Sequence, residues 1–221
     1  MSKTGTRSGG AAAAVSRPRR RSWVVGLAIV ALLLAIGLDT KVVRVGGDED
    51  QRQQAFDPDA FGQREFPRIR DYVLGRAVAA PQLAEELAAD KNAAIEAYGT
   101  VAGAFPVLTV SLTGVVGEGK SGIYSVVVDG MPEGTGIRIQ TGPAINGTEL
   151  RDIVGDIEFG AFKNQIEYQN AGAGINRAMS AEVLTELDRT ALAGKTVSVA
   201  GAFKMINPKN WLVTPVRLEI Q

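Results

Sequence analysis

Leu108-Thr-Val-Ser-Leu-Thr113 decides the fold. Leu108, Val110 and Leu112 alternate with Thr109, Ser111 and Thr113, a period of two that puts apolar side chains on one face of a strand and hydroxyls on the other. Outward from it, residues 123–128 are rich in β-branched side chains and close at Asp129-Gly130, and Ile137 and Ile139 alternate with Arg138 and Gln140. Turn residues separate the three runs, so they read as consecutive strands. Residues 142–160 are a Gly-rich loop with a short helical turn expected at 149–154. Residues 162–187 predict a helix whose apolar face is Met179, Val183, Leu184 and Leu187, ended by Gly194-Lys195. Val197 and Val199 start a fourth strand. Val216, Leu218 and Ile220, alternating with Arg217 and Glu219, make a fifth, and Pro215 predicts an edge or a bulge there. Three strands, a helix and two strands is the order of an OB-type fold: α+β, an OB-like five-stranded β-barrel with a helical insertion. A generic α+β sheet fits the same pattern.

Upstream the period changes. Asp57-Pro58 is a helix start, with the carboxylate as cap and proline in the first turn. Phe61, Ile69, Tyr72 and Val73 supply an apolar face, and Pro67 should kink or divide that helix. Pro81 begins a second helix with Leu83, Leu87, Ile95 and Tyr98 on one stripe and Glu85, Glu86, Asp90 and Lys91 opposite. The chain therefore divides into a helical part over 57–103 and an OB-like α/β domain over 104–221.

Before these stands an apolar run, residues 23–38, preceded by Arg17, Arg19, Arg20 and Arg21. The arginines should stay cytoplasmic and the rest be delivered outside. At about 1.5 Å per residue a run of this length spans roughly 24 Å, short of a hydrocarbon core of about 30 Å but long for a cleaved secretory segment of about 7–15 residues. Snorkelling of Arg21 and Lys41 can make up the deficit. An uncleaved transmembrane anchor is the favoured reading, with cleavage at the small-x-small stretch Ala35-Ile36-Gly37 as the alternative. A basic, Gly/Ala/Ser-rich tail over 1–22 and a hydrated spacer over 39–56 flank the run. This organisation predicts a single-pass protein of the bacterial inner membrane, N-terminus cytoplasmic and C-terminal domain periplasmic.

Net charge is zero but uneven: residues 1–22 carry six Lys/Arg and no acid, and the remainder carries 18 basic and 24 acidic residues. The tail suits an anionic leaflet. The acidic body lacks the footprint of a nucleic-acid binder. The chain has no histidine and no cysteine. That excludes Ser-His-Asp and Cys-His catalysis, disulfides, a lipid-modified cysteine and a His-based zinc site. Nothing in the sequence implies a cofactor or a metal.

Two stretches can carry binding chemistry. In the first, Gly142-Pro143 and Asn146-Gly147 are turn formers, Thr148 is placed to cap the following turn, and Arg151 beside Asp152 can clamp a carboxylate, a phosphate or a sugar diol. The same residues also serve a loop that merely needs caps, with Arg151 paired to Asp152 or Glu149. Asn146-Gly147-Thr148 matches a glycosylation sequon as well. In the second, Asn164, Gln165, Glu167 and Tyr168, with Asn170 and Asn176 beyond, combine amides with an aromatic ring in the manner of a sugar site, or else satisfy loop backbone. Asp152, Asp156, Glu158 and Glu167 admit a carboxylate-based hydrolase, but no calcium-loop spacing is present.

Five motifs together carry a family resemblance. They are Phe56-Asp-Pro-Asp-Ala-Phe61, Gly142-Pro-Ala-Ile-Asn-Gly-Thr-Glu-Leu-Arg-Asp152, Phe162-Lys-Asn-Gln-Ile-Glu-Tyr168, Gly194-Lys-Thr-Val-Ser-Val-Ala-Gly-Ala-Phe203 and Val213-Thr-Pro-Val-Arg-Leu-Glu219. The chain resembles, over nearly all of 38–221, the predicted periplasmic lipoproteins of domain-of-unknown-function family 2291. The resemblance implies a bacterial envelope protein with a helical part and an OB-like part. Members are often encoded beside sugar ABC transporters, which implies a partner among transporter components or a carbohydrate-related ligand. The family has no established activity. This chain lacks the lipid-bearing cysteine, so the apolar helix would replace the lipid. The expected function is that of a membrane-anchored periplasmic accessory protein; the alternatives are a structural envelope module without a ligand, or a hydrolase.

Overall fold

The computed structural model describes residues 19–39 and 56–221. The basic tail and the spacer expected from the sequence lie outside the described residues except at their inner ends. Two compact units are present, residues Met1–Ala55 and Phe56–Gln221.

In the first unit, α1 (Arg19–Asp39) exposes every side chain described, residues 23–38. Among the described residues, no helix is long and apolar enough to cross a membrane.

The second unit opens with α2 (Pro58–Arg76). Asp57 caps it, its Oδ1 accepting from the N–H groups of Asp59 (2.9 Å) and Ala60 (3.1 Å). Pro67, expected to kink or divide the helix, lies inside it without dividing it. Pro67 and Gln63, whose carbonyl loses its partner to the proline ring, both lie on the solvent face, where water can satisfy that group. The second expected helix is two: α3 (Ala80–Ala89) and α4 (Lys91–Tyr98). Asp90 separates them because its carboxylate accepts from Asn92 and Ala93 N–H at 3.0 and 3.1 Å, starting a new helix in place of the old. Two short strands that periodicity did not reveal, β1 (Val78–Ala79) and β2 (Gly99–Ala102), flank these helices.

Five long strands follow the expected order. They are β3 (Phe105–Lys120), β4 (Ile123–Val127), β5 (Gly136–Gln140), β6 (Thr196–Lys204) and β7 (Asn210–Ile220). Between β5 and β6 lie α5 (Glu149–Asp152) and α6 (Gln165–Val183). The pairing runs β3-β4-β5-β7-β6 and returns to β3, so the ladder closes on itself. Only β5–β7 is parallel within that ring. The bulge expected at Pro215 is present: Ala200 faces Arg217 and Gly201 faces Pro215, leaving Val216 over.

Alternation on these strands creates two cores. Leu108, Val110, Ile137, Ile139, Val199 and Trp211 belong to one, roofed by Leu83 and Leu87 of α3. Phe203 stacks on Trp211 there, centroids 4.6 Å apart. The residues of opposite parity, Val107 and Ala202, join Val216 in a second core against Phe66 and Ile69 of α2 and Ile175 and Met179 of α6. Thr109 is fully buried, and its hydroxyl bonds the carbonyls of Arg76 (2.9 Å) and Tyr98 (3.1 Å), tying the ends of α2 and α4 to β3.

Helices α2 and α6 cross at backbone contact. A Cβ on Gly62 would lie 2.1 Å from the Gly174 carbonyl oxygen, and one on Gly174 1.8 Å from that of Pro58. Backbone cannot retreat as a side chain can, so the two helices must separate if either glycine gains a methyl group. Gly174→Ala is expected to destabilise the protein by about 1–3 kcal/mol in urea unfolding, whereas Gly75→Ala, with nothing within 4 Å of the new carbon, should be neutral or stabilising by up to about 1 kcal/mol.

Candidate functional site

The loop 141–148 leaves β5 at Gln140, which is only 2% exposed. Its Nε2 donates to the Asn146 carbonyl (3.0 Å) and to Thr214 Oγ1 (2.8 Å), and its Oε1 accepts the Asn146 N–H at 3.1 Å. The buried amide thus pairs with the Asn146 peptide as a neighbouring strand would. Arg189 holds the loop's start, its Nε donating to the Thr141 carbonyl at 2.6 Å and its Nη2 to that of Leu184 at 3.3 Å. Asn176 of α6 holds its end, Nδ2 to the Gly147 carbonyl at 3.0 Å. Gly142 and Gly147 bend the chain with φ of +83° and +108°, where glycine is favoured. The Gly142–Pro143 peptide is cis.

Thr148 occupies the N-cap position of α5 but makes no side-chain cap, contrary to expectation. Its hydroxyl donates instead to Asp152 Oδ2 at 2.5 Å. Arg151 occupies Asp152 Oδ1, and the hydroxyl completes the hydrogen bonding of the buried Oδ2. Arg151 meets Asp152 Oδ1 through Nε (2.8 Å) and Nη2 (2.7 Å) and donates through Nη1 to the Tyr168 carbonyl (3.0 Å). Its guanidinium lies 3.6 Å from the centroid of the Tyr168 ring. Lys204 on β6 donates to Thr148 Oγ1 (3.0 Å) and reaches Asp152 Oδ2 (3.5 Å). Arg151 and Asp152 are each 7% exposed. All three nitrogens of Arg151 are engaged within the chain, so the expected clamp for an outside anion is turned inward. Burial pushes the Glu149 carboxyl above its ordinary range, and the Asp152 charge adds to the rise against the pull of Lys204 and Arg151.

The second stretch caps a helix. Asn164 Oδ1 accepts the Glu167 N–H (2.9 Å) while Glu167 Oε2 accepts the Lys163 N–H (3.0 Å), a reciprocal arrangement that starts α6. Gln165 and Asn170 face solvent. Tyr168 sits in an aromatic cluster with Phe159 (5.7 Å) and Phe162 (5.4 Å). One ring face carries Arg151, so the expected sugar platform does not form there. Of the acids, Asp156 pairs with Arg68 at 2.7 Å and Glu158 is exposed.

What remains open is a cleft of about 510 Å³ between the loop and α6. Pro143 and Ile145 form one wall, and Asn176, Ser180 and Leu184 the other, with Arg189 also lining it. Among the sequence-derived candidates, Pro143 and Asn176 reach it. The family model for the predicted periplasmic lipoproteins (DUF2291) matches residues 28–219. The chain belongs to that family. Membership supports a periplasmic, membrane-associated location. A search of curated proteins gives no match. Among solved structures, the chain is similar to an OB-fold protein from Thermotoga maritima, with 19% identity and a TM-score of 0.59 over 76% of this chain and all of the other. That likeness supports an OB-like α+β fold for the DUF2291 chain.

Of the residues that hold the loop, the sequence singled out Asn176 and missed the others. Gln140 ends an alternating strand, where a polar residue reads as outward-facing. Its one local signal is its place directly before a Thr-Gly-Pro turn. Arg189, Lys204 and Thr214 carry no local signal, since each acts across a large sequence separation. Removing Arg151 would leave Asp152 buried beside a single cation. Arg151→Ala is expected to destabilise the fold by about 3–5 kcal/mol in denaturant unfolding, a loss much larger than for truncating Arg217, whose contact with Glu219 is exposed and 3.9 Å long.

Proposed function

We infer that this DUF2291 chain is a membrane-tethered accessory domain on the outer side of the bacterial inner membrane. It serves sugar ABC transport by binding a sugar-related ligand or a transporter component. The observation that carries the tether is the uniform exposure of residues 23–38, an apolar helix with no polar face. Such a surface is stable only when lipid or protein covers it. No described helix has the length and apolarity of an ordinary span, so the tether requires the bilayer to thin around a run of roughly 24 Å and the flanking basic side chains to snorkel, with the preceding arginines kept in the cytoplasm. The 221 residues hold no cysteine for a lipid, so the helix takes over the anchoring role.

The cleft beside α6 supports the binding half of this reading. A loop fixed at both ends faces a helix across open space, which is the arrangement of a largely pre-formed site. The opposing observation is that Arg151, Asn164 and Glu167 are all engaged internally, which favours a structural envelope module without a ligand.

Fractionation tests the tether. Full-length chain of 23.3 kDa should remain in the inner-membrane pellet after carbonate washing, and protease added to spheroplasts should digest its C-terminal domain. A mature chain beginning at Leu38, or intact chain in the cytosol, contradicts the reading. Crosslinking to purified sugar-transporter components, compared between wild type and a variant with the cleft blocked by Ser180→Trp, tests the binding half. A crosslink unchanged by the block removes the cleft from the account.

A further inference from the structure

We propose that the cleft beside α6 takes an anionic ligand, a sugar bearing a carboxylate or a phosphate, rather than a neutral sugar. This inference rests on the binding reading above and names its ligand class.

The polar groups of the cleft are unbalanced in charge. Arg177 and Arg189 both line it, and no Asp or Glu does. Arg189 uses Nε and Nη2 on the Thr141 and Leu184 carbonyls, which leaves Nη1 for a ligand. Arg177 bonds Asp59 through Nε at 2.6 Å and keeps its two terminal nitrogens. Subtracting the Asp59 charge leaves one net positive charge facing the cleft. Arg189 is fixed by its carbonyl bonds before any ligand arrives, so little side-chain freedom is lost on binding. A planar fork in that condition suits a carboxylate or phosphate oxygen pair.

The remaining lining explains why the anion should carry hydroxyls. Asn176 is 6% exposed and its Nδ2 is engaged by the Gly147 carbonyl. Its Oδ1 receives no hydrogen bond from the described residues, and this residue lines the cleft. An acceptor beside two cations recognises a ligand donor, such as a hydroxyl hydrogen. The Ser180 hydroxyl, one helical turn further on, likewise makes no hydrogen bond among the described residues and can donate or accept. Pro143, Ile145 and Leu184 offer apolar surface for the ring's C–H faces. The volume of about 510 Å³ lies within the roughly 300–1,000 Å³ usual for small-molecule sites.

The test uses the full chain in detergent, with glucuronate, glucose 6-phosphate and glucose as probes. Backbone amide shifts of Ile145 and Ser180 report occupancy, and calorimetry gives affinity. The expected result is saturable shifts with glucuronate, with glucose 6-phosphate, or with both, while glucose is silent; whichever anion binds identifies the charged group. Arg177→Gln should weaken that binding about tenfold, the scale of one charge-assisted hydrogen bond. Ala173→Glu, at an exposed helical position in the cleft wall, should abolish it without touching the contacts that hold the loop. Silence with both anions, equal shifts with glucose, or undiminished anion binding by Ala173→Glu would overturn the proposal. Glucose binding alone would overturn the charge preference and leave the sugar-binding reading standing, and the crosslinking experiment judges the transporter reading separately.

Discussion

Asp152 is a nearly buried carboxylate, and the surrounding structure is arranged to satisfy its oxygens. Two cations and a hydroxyl meet it, each from a different element: Arg151 from α5, Lys204 from β6 and Thr148 from the loop. A buried charge that loses a partner is penalised by several kcal/mol. These contacts therefore fix how the loop and α5 sit on the sheet. Arg151 extends the constraint to α6 through the Tyr168 carbonyl and ring.

The second constraint is steric. Gly62 and Gly174 bring α2 and α6 close enough for backbone to meet backbone. Phe66, Ile69, Ile175 and Met179 can then share one core with Val107, Ala202 and Val216 of the sheet. Helix α6 is consequently fixed on both sides, by packing against α2 and by polar contacts to the loop. Its remaining face borders the cleft. Arg151, Asp152, Asn164 and Glu167, which look like ligand-binding groups in the sequence, build this frame, and the cleft lies beside it.

Much of the fold is legible from the chain. Alternation at Leu108, Val110 and Leu112 reports a strand because that face is buried; at Val216, Leu218 and Ile220 it reports a strand whose apolar face is buried only at its start, Ile220 being 47% exposed, and Pro215 marks the bulge. Asp57 and Pro58 mark a helix start for local reasons that hold in the structure. The failures come from competition or distance. Asp90 ends one helix by capping another, and Pro67 is tolerated because its orphaned carbonyl faces water. The site is less legible than the fold. Asn164 and Glu167 have the composition of a sugar site and the spacing of a cap, and the cap prevails. Gln140 holds Asn146 six residues on and Thr214 across the sheet, and Arg189 holds Thr141 from the far side of α6. Such pairings depend on tertiary closure and leave no periodic trace.

The account depends on a loop fixed before any ligand arrives, with DUF2291 membership setting its envelope context. Amide hydrogen exchange at Asn146 tests this most directly. Asn146 is an exposed residue, yet its N–H points at the buried Gln140 carboxamide oxygen at 3.1 Å. The account predicts protection of that amide comparable to the amides of β5, lost on Gln140→Ala. Exchange at the rate of an open surface loop in the wild-type chain would contradict it.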